Sequence, residues 1–221
     1  MVEPRYRAVL FDADDTLLVT RKVKWRQHQH VAKTHYGIDL DEATLRLHWG
    51  KPFHELVAGL YANMGTEAER EANFLAHEHD FPKTYQPGAL EMIHDLHARG
   101  VKLGIITSMI LRGAMIDFQK LALPLDLFDI LQGSEATEHH KPDPRVFDPA
   151  LKRLAELGID RSDIVYVGDD IRDYHAARDE GLGFIGVTQG LFTAADFQEA
   201  GAESVFDNLA GVHNFILGES S

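Results

Sequence analysis

The 221-residue chain contains no cysteine and only two tryptophans, and it sets 22 lysines and arginines against 35 aspartates and glutamates. Without cysteine there are no disulfides, no thiolate metal centres and no cysteine nucleophile. The net charge of −13 argues against a nucleic-acid partner, because a phosphate backbone is bound by clustered Lys and Arg. It also means that an anionic substrate must find local positive charge, from a metal ion or from a few placed basic side chains. No apolar stretch is long enough to span a membrane, and the opening Met1-Val2-Glu3-Pro4-Arg5 lacks the apolar region of a signal peptide. The expectation is a cytoplasmic protein with no membrane partner.

What is present is a regular alternation. Short apolar runs read as strands at Ala8 to Phe11, Lys102 to Thr107, Ile130 to Gln132, Ile164 to Val167, Phe184 to Val187 and Ser204 to Phe206. Helical stretches separate most of them, among them Ala89 to Ala98 and Arg145 to Leu157, each followed by a glycine stop. This pattern predicts an α/β fold, a Rossmann-like parallel sheet core with helices on both faces. Between the first two strands, from about Lys22 to Phe81, there is no convincing strand. That insertion breaks at Gly37, Gly50-Lys51-Pro52 and Gly65, and it predicts a small all-helical cap domain. The expected division is a catalytic core of residues 1–19 and 86–221 and a helical lid of residues 20–85.

Four segments carry chemistry. In Val9-Leu10-Phe11-Asp12-Ala13-Asp14-Asp15-Thr16 an apolar strand runs out into three carboxylates. So much negative charge at a strand end calls for a cation, and hard oxygen ligands of this kind suit Mg²⁺. In Leu103-Gly104-Ile105-Ile106-Thr107-Ser108 a second strand ends in two hydroxyls, which either bind phosphoryl oxygens or cap the next helix. In His140-Lys141-Pro142 a single cation is fixed beside proline, where it could screen repulsion between an aspartate nucleophile and a phosphate dianion. In Val167-Gly168-Asp169-Asp170-Ile171-Arg172-Asp173 another strand ends in acids. Asp169 would reach the same sheet edge as Asp12 and complete a metal site, while Asp173 could serve as a helix cap.

The order D-x-D-x-T, T-S, K-P and G-D-x-x-x-D resembles the haloacid dehalogenase-like superfamily, in its phosphatase branch with a helical cap between the first two motifs. The resemblance runs from about Ala8 to Gly190. It implies that Asp12 is the nucleophile forming an aspartyl-phosphate, and that Asp14 is general acid and then base. It further implies that Thr107, Ser108 and Lys141 bind the phosphate, and that Mg²⁺ is held by Asp12, the Asp14 carbonyl and Asp169. Asp173 would orient Lys141 or a metal-bound water. Asp14 also speaks against the dehalogenase and phosphonate-cleaving branches, which lack an acid there. One departure stands out: Asp15 occupies a position where the superfamily usually has glycine.

The expected function is therefore a Mg²⁺-dependent phosphatase acting on a small phosphorylated metabolite, as a monomer or homodimer. The alternatives are a phosphomutase of the same superfamily and a non-catalytic phosphate-binding or regulatory protein. Specificity is expected to lie in the lid, where Arg21, Trp49, Lys51, His48 and His54 are candidates. Thirteen histidines invite a metal reading, but His77 and His79 would point apart on a helix, as would His28 and His30.

Overall fold

The computed structural model describes residues 3–49 and 53–219. The chain divides into two compact units, one formed by Met1–Val19 with Thr84–Ser221 and the other by Thr20–Lys83.

The first unit is built on a six-stranded sheet of β1 (Ala8–Phe11), β4 (Lys102–Ile106), β5 (Ile130–Gln132), β6 (Ile164–Gly168), β7 (Gly183–Val187) and β8 (Val205–Phe206), with spatial order β5-β4-β1-β6-β7-β8. Every pairing in it is parallel. Such a sheet must bury both faces, and the alternation along each strand shows how it does so. Val9 and Phe11 join Leu103, Ile105, Val165 and Val167 in one apolar layer, which α5 (Ala89–Ala98), α6 (Leu111–Lys120) and α10 (Leu209–Leu217) cover. Ala8, Leu10, Ile106 and Tyr166 face the opposite layer, under α7 (Asp148–Glu156) and α8 (Ile171–Glu180). Phe197 of α9 (Ala194–Ala200) packs with Tyr174 and Ala202 at one end.

Two sequence expectations shift in detail. The expected helix Arg145 to Leu157 opens with a 3₁₀ turn at Pro144–Phe147, and the α-helix begins only at Asp148. A two-stranded antiparallel ribbon of β2 (Leu18–Val19) and β3 (Thr84–Tyr85) was not expected, being too short to show a periodic pattern.

The second unit contains α1 (Arg21–Tyr36), α2 (Glu42–His48), α3 (Phe53–Leu60) and α4 (Glu67–Ala76). Their ends are locally encoded. Helix α1 stops at Gly37, whose φ of 69° is the left-handed conformation of a C-cap. Asp41 caps α2 through the Thr44 N–H, and Thr66 forms a capping box with Glu69 at α4. Inside the unit His28 is buried, hydrogen-bonded to the Tyr61 hydroxyl at 2.8 Å and stacked on Phe74 at 4.5 Å. Burial lowers its pKa to about 3. Among the described residues no helix is long and apolar enough to cross a membrane.

Candidate active site

The sheet gathers the chemistry. Phe11, the last residue of β1, pairs with Ile105 on one side and Val167 on the other. The next residues in each chain segment therefore leave the sheet along one edge, carrying Asp12, Thr107 and Asp169 with them. This carboxyl edge, where β1 lies between β4 and β6, is where ligands bind in open parallel sheets. The Asp12 N–H still donates to the Val167 carbonyl at 2.9 Å, which holds the start of the loop to the sheet.

Lys141 is the centre of the charge network. Its side chain is 6% exposed, and its ammonium meets Asp12 Oδ1 at 2.6 Å and Asp173 Oδ1 at 2.8 Å. Beneath it lies the face of Tyr166, with the ring centroid 5.1 Å from Nζ. Tyr166 is in turn fixed by its hydroxyl, which donates to the Ile106 carbonyl at 3.1 Å. Burial alone would lower the Lys141 pKa, but Asp12 and Asp173 outweigh it and hold that pKa well above the ordinary value.

The one ammonium of Lys141 meets two buried carboxylates, Asp12 and Asp173, and Asp169 is partly buried. Burial pushes the Asp12 carboxyl up to about 7 against the pull of Lys141, with Asp173 and Asp14 adding to the rise. Asp169 is raised well above the usual range by burial and by the neighbouring Asp12, Asp173, Asp15 and Asp170. Asp173 is raised as well, again by burial in the first place. An excess of buried carboxylates facing one edge is a donor set that fits a hard divalent cation. Among the described residues no group of three or more His, Asp or Glu converges as a metal cluster. A site of two carboxylates, one carbonyl and water remains of the kind that Mg²⁺ accepts.

The remaining motif residues fall into place individually. Asp15 has a φ of 58°, the left-handed region in which glycine is favoured and aspartate tolerated. Its N–H donates to the Leu18 carbonyl at 2.7 Å, closing the turn that follows the strand. Thr16 Oγ1 lies 3.5 Å from Asp169 Oδ1. Thr107 is buried and its hydroxyl accepts from the Met109 N–H at 3.1 Å, while Ser108 is exposed. Neither caps α6, whose N-cap is Ile110. Nor is Asp173 the cap of α8: Asp170 is, and Asp173 stands three residues in, accepting the Asp170 N–H at 3.2 Å. His139 pairs with Asp143 at 3.6 Å, and His140 is exposed. In the helical unit Trp49 ends α2 and meets Trp25 edge-on, with centroids 6.0 Å apart. Lys51 lies outside the described residues.

Two site residues escaped the sequence reading. Tyr166, the support under Lys141, looked like any other buried strand residue. Gly190 lies three residues beyond β7, and a Cβ there would run into the Asp169 carboxylate. A glycine just past a parallel strand, on the edge that carries the acids, is the signal that could have found it.

Known proteins resemble this chain in sequence and in fold. The family model described as haloacid dehalogenase-like hydrolase matches residues 9–187. A Clostridium perfringens protein provisionally named pyrophosphatase PpaX is 31% identical over 88% of this chain and 88% of its own. A phosphoglycolate phosphatase of Rhodospirillum rubrum is 28% identical over 95% of this chain and 90% of its own. Among solved structures, a Thermotoga maritima protein provisionally named β-phosphoglucomutase shares the fold with a TM-score of 0.79 at 23% identity, covering 96% of this chain and 97% of that one. The chain belongs to the haloacid dehalogenase-like hydrolases.

Proposed function

We propose that the protein is a Mg²⁺-dependent phosphatase that hydrolyses a small phosphomonoester by way of a phosphoryl group carried on Asp12. The observation that carries this reading is Lys141, clamped between Asp12 and Asp173 among more buried carboxylates than it can neutralise.

An Asp12 oxygen attacks phosphorus in line with the leaving oxygen. As the ester bond breaks, Asp14 gives its proton to that oxygen, so that an alcohol departs. The Asp14 carboxylate then takes a proton from water as the water oxygen attacks phosphorus. Phosphate leaves and Asp12 is regenerated. Lys141 and Thr107 hold the phosphoryl oxygens, and catalysis is mainly positioning with charge stabilisation. Asp12, the Asp14 carbonyl and Asp169 would hold Mg²⁺, which when bound neutralises charge between the nucleophile and the phosphate. Selection of the leaving group is assigned to the helical unit, with Trp49 and Lys51 as the residues to substitute first.

The names of the pyrophosphatase relatives favour a second substrate class, the phosphoanhydride. It would use the same Asp12 chemistry with a phosphate as leaving group. A panel of phosphoglycolate, sugar phosphates, nucleoside monophosphates and inorganic pyrophosphate, run with Mg²⁺ and with chelator, separates the two. Phosphate release that needs both the metal and Asp12 supports the proposal. Release that survives Asp12→Asn overturns it.

A further inference from the structure

The helical unit carries an imidazole cluster that the phosphatase chemistry does not use. His35, in the last turn of α1, and His77, just past α4, bring their Nε2 atoms to 3.0 Å from each other. The other ring nitrogen of His77, Nδ1, lies 3.3 Å from Asp80 Oδ2. His30 sets its ring edge-on against His77, with centroids 4.6 Å apart. His30 and His35 are exposed and His77 is half-buried, so solvent and ions reach the group.

The protonation pattern follows from donor and acceptor rules. A carboxylate only accepts, so His77 Nδ1 carries a proton and donates it to Asp80. Between the two Nε2 atoms there is room for one proton. Two N–H groups would collide there, and two lone pairs would repel. A metal ion can replace a proton held in this way.

We propose that His35 and His77 form a binding site for a divalent cation of the Zn²⁺ class, separate from the oxygen site of the sheet edge. Imidazole suits Zn²⁺, whereas Mg²⁺ prefers oxygen, so the two sites sort cations by ligand type. Zinc–nitrogen bonds of about 2.0–2.1 Å at a tetrahedral angle place two imidazole nitrogens about 3.3 Å apart. A small rotation of the exposed His35 ring reaches that spacing from 3.0 Å. Asp80 supplies the outer carboxylate that commonly orients a ligating histidine, and water fills the open positions. His79, whose spacing from His77 already speaks against a shared zinc site, faces Asp80, with Nε2 at 3.2 Å from Oδ1. The bound ion would tie the end of α1 to the end of α4, across 42 residues of sequence.

The test is calorimetric titration of Zn²⁺ into the full chain, stripped with chelator and then saturated with Mg²⁺ so that the oxygen site is filled. We expect one further Zn²⁺ to bind, with affinity reduced at least about tenfold in His35→Gln and in His77→Gln. His79→Gln and the remote His94→Gln should leave it unchanged. Zn²⁺ should raise the melting temperature of the parent chain but not that of the two site variants. Retained Mg²⁺-dependent phosphate release would show that both variants are folded. Zn²⁺ binding that survives both substitutions, or is lost in His79→Gln alone, overturns the site. So does the absence of Zn²⁺ binding to the Mg²⁺-saturated chain, which would leave a pair that holds a proton only.

Discussion

The ammonium of Lys141 rests over the ring of Tyr166, 5.1 Å from its centroid, while reaching two carboxylates at 2.6 and 2.8 Å. The ring fixes where the cation stands, and the carboxylates fix where it points. Lys141→Met should lower kcat by about 10²–10³, the size of loss seen when one preorganised charge-stabilising group is removed. Lys141→Arg should not rescue it, because a planar fork differs from a point charge in shape and hydration. Steady-state kinetics with a good substrate checks both. Tyr166→Phe keeps the ring and should keep most of the activity, with a stability loss of about 1–3 kcal/mol from the unpaired Ile106 carbonyl. Tyr166→Leu removes the ring as well and should depress kcat further.

Cation binding should depend on pH through Asp12. Its folded pKa, about 7, lies above the ordinary 3.8, so between these values the folded chain holds a proton that the unfolded chain has released. Stability of the metal-free chain from this group is therefore present at low pH and falls as pH rises through 7. Mg²⁺ displaces that proton, so its apparent affinity should rise roughly tenfold per pH unit between pH 5 and 7. The increase in melting temperature on adding Mg²⁺ should be larger at pH 8 than at pH 5. An increase that does not vary with pH would contradict the assignment.

Gly190→Ala should weaken the divalent site without unfolding the protein. The added methyl would run into the Asp169 carboxylate, and the side chain that must give way is the proposed ligand. Mg²⁺ affinity measured by calorimetry should fall by about 10–100-fold, the range typical for groups that orient a metal ligand. The far-ultraviolet dichroism should stay unchanged.

His28 titrates in the opposite sense to Asp12. Its pKa is lowered by burial to about 3 from an ordinary 6.5, so below pH 6.5 the unfolded chain takes up the proton and the folded chain does not. Its contribution to stability is thus present above pH 6.5 and is lost as pH falls toward 3, by about 1.4 kcal/mol per pH unit. Urea midpoints of the parent chain and of His28→Phe, compared across that window, should show a shallower decline in the variant. A decline equally steep in both would place the acid sensitivity elsewhere.

The site was more legible in the sequence than the supports around it. Asp12, Lys141 and Asp169 stand out because each sits where a strand or a proline fixes the backbone, and Asp173 because it lies in the first turn of the helix that follows Asp169. The strand limits were nearly as clear, since a parallel strand buried on both faces is a continuous apolar run. What the sequence could not reveal depends on contacts between distant segments. The Tyr166 ring becomes a platform only when Lys141 arrives over it, and Gly190 matters only because β7 carries it to Asp169. His35 and His77 are 42 residues apart, and only the packing of α1 beside α4 brings them together. Asp15 departs from the glycine usual at this position, and its φ of 58° lies in the left-handed region that glycine favours.

If Asp12 carries the phosphoryl group, that group can be trapped on it. A phosphate ester with a good leaving group needs little help from Asp14 in the first step, whereas the second step needs Asp14 to activate water. Asp14→Asn, mixed with such an ester and Mg²⁺ and then quenched in acid, should show a phosphoryl adduct on the peptide that contains Asp12 by mass spectrometry. The adduct should be absent when Asp12→Asn is added to the same variant. Turnover by the parent enzyme with no adduct in the Asp14 variant, or an adduct on any other residue, would contradict phosphoryl transfer to Asp12.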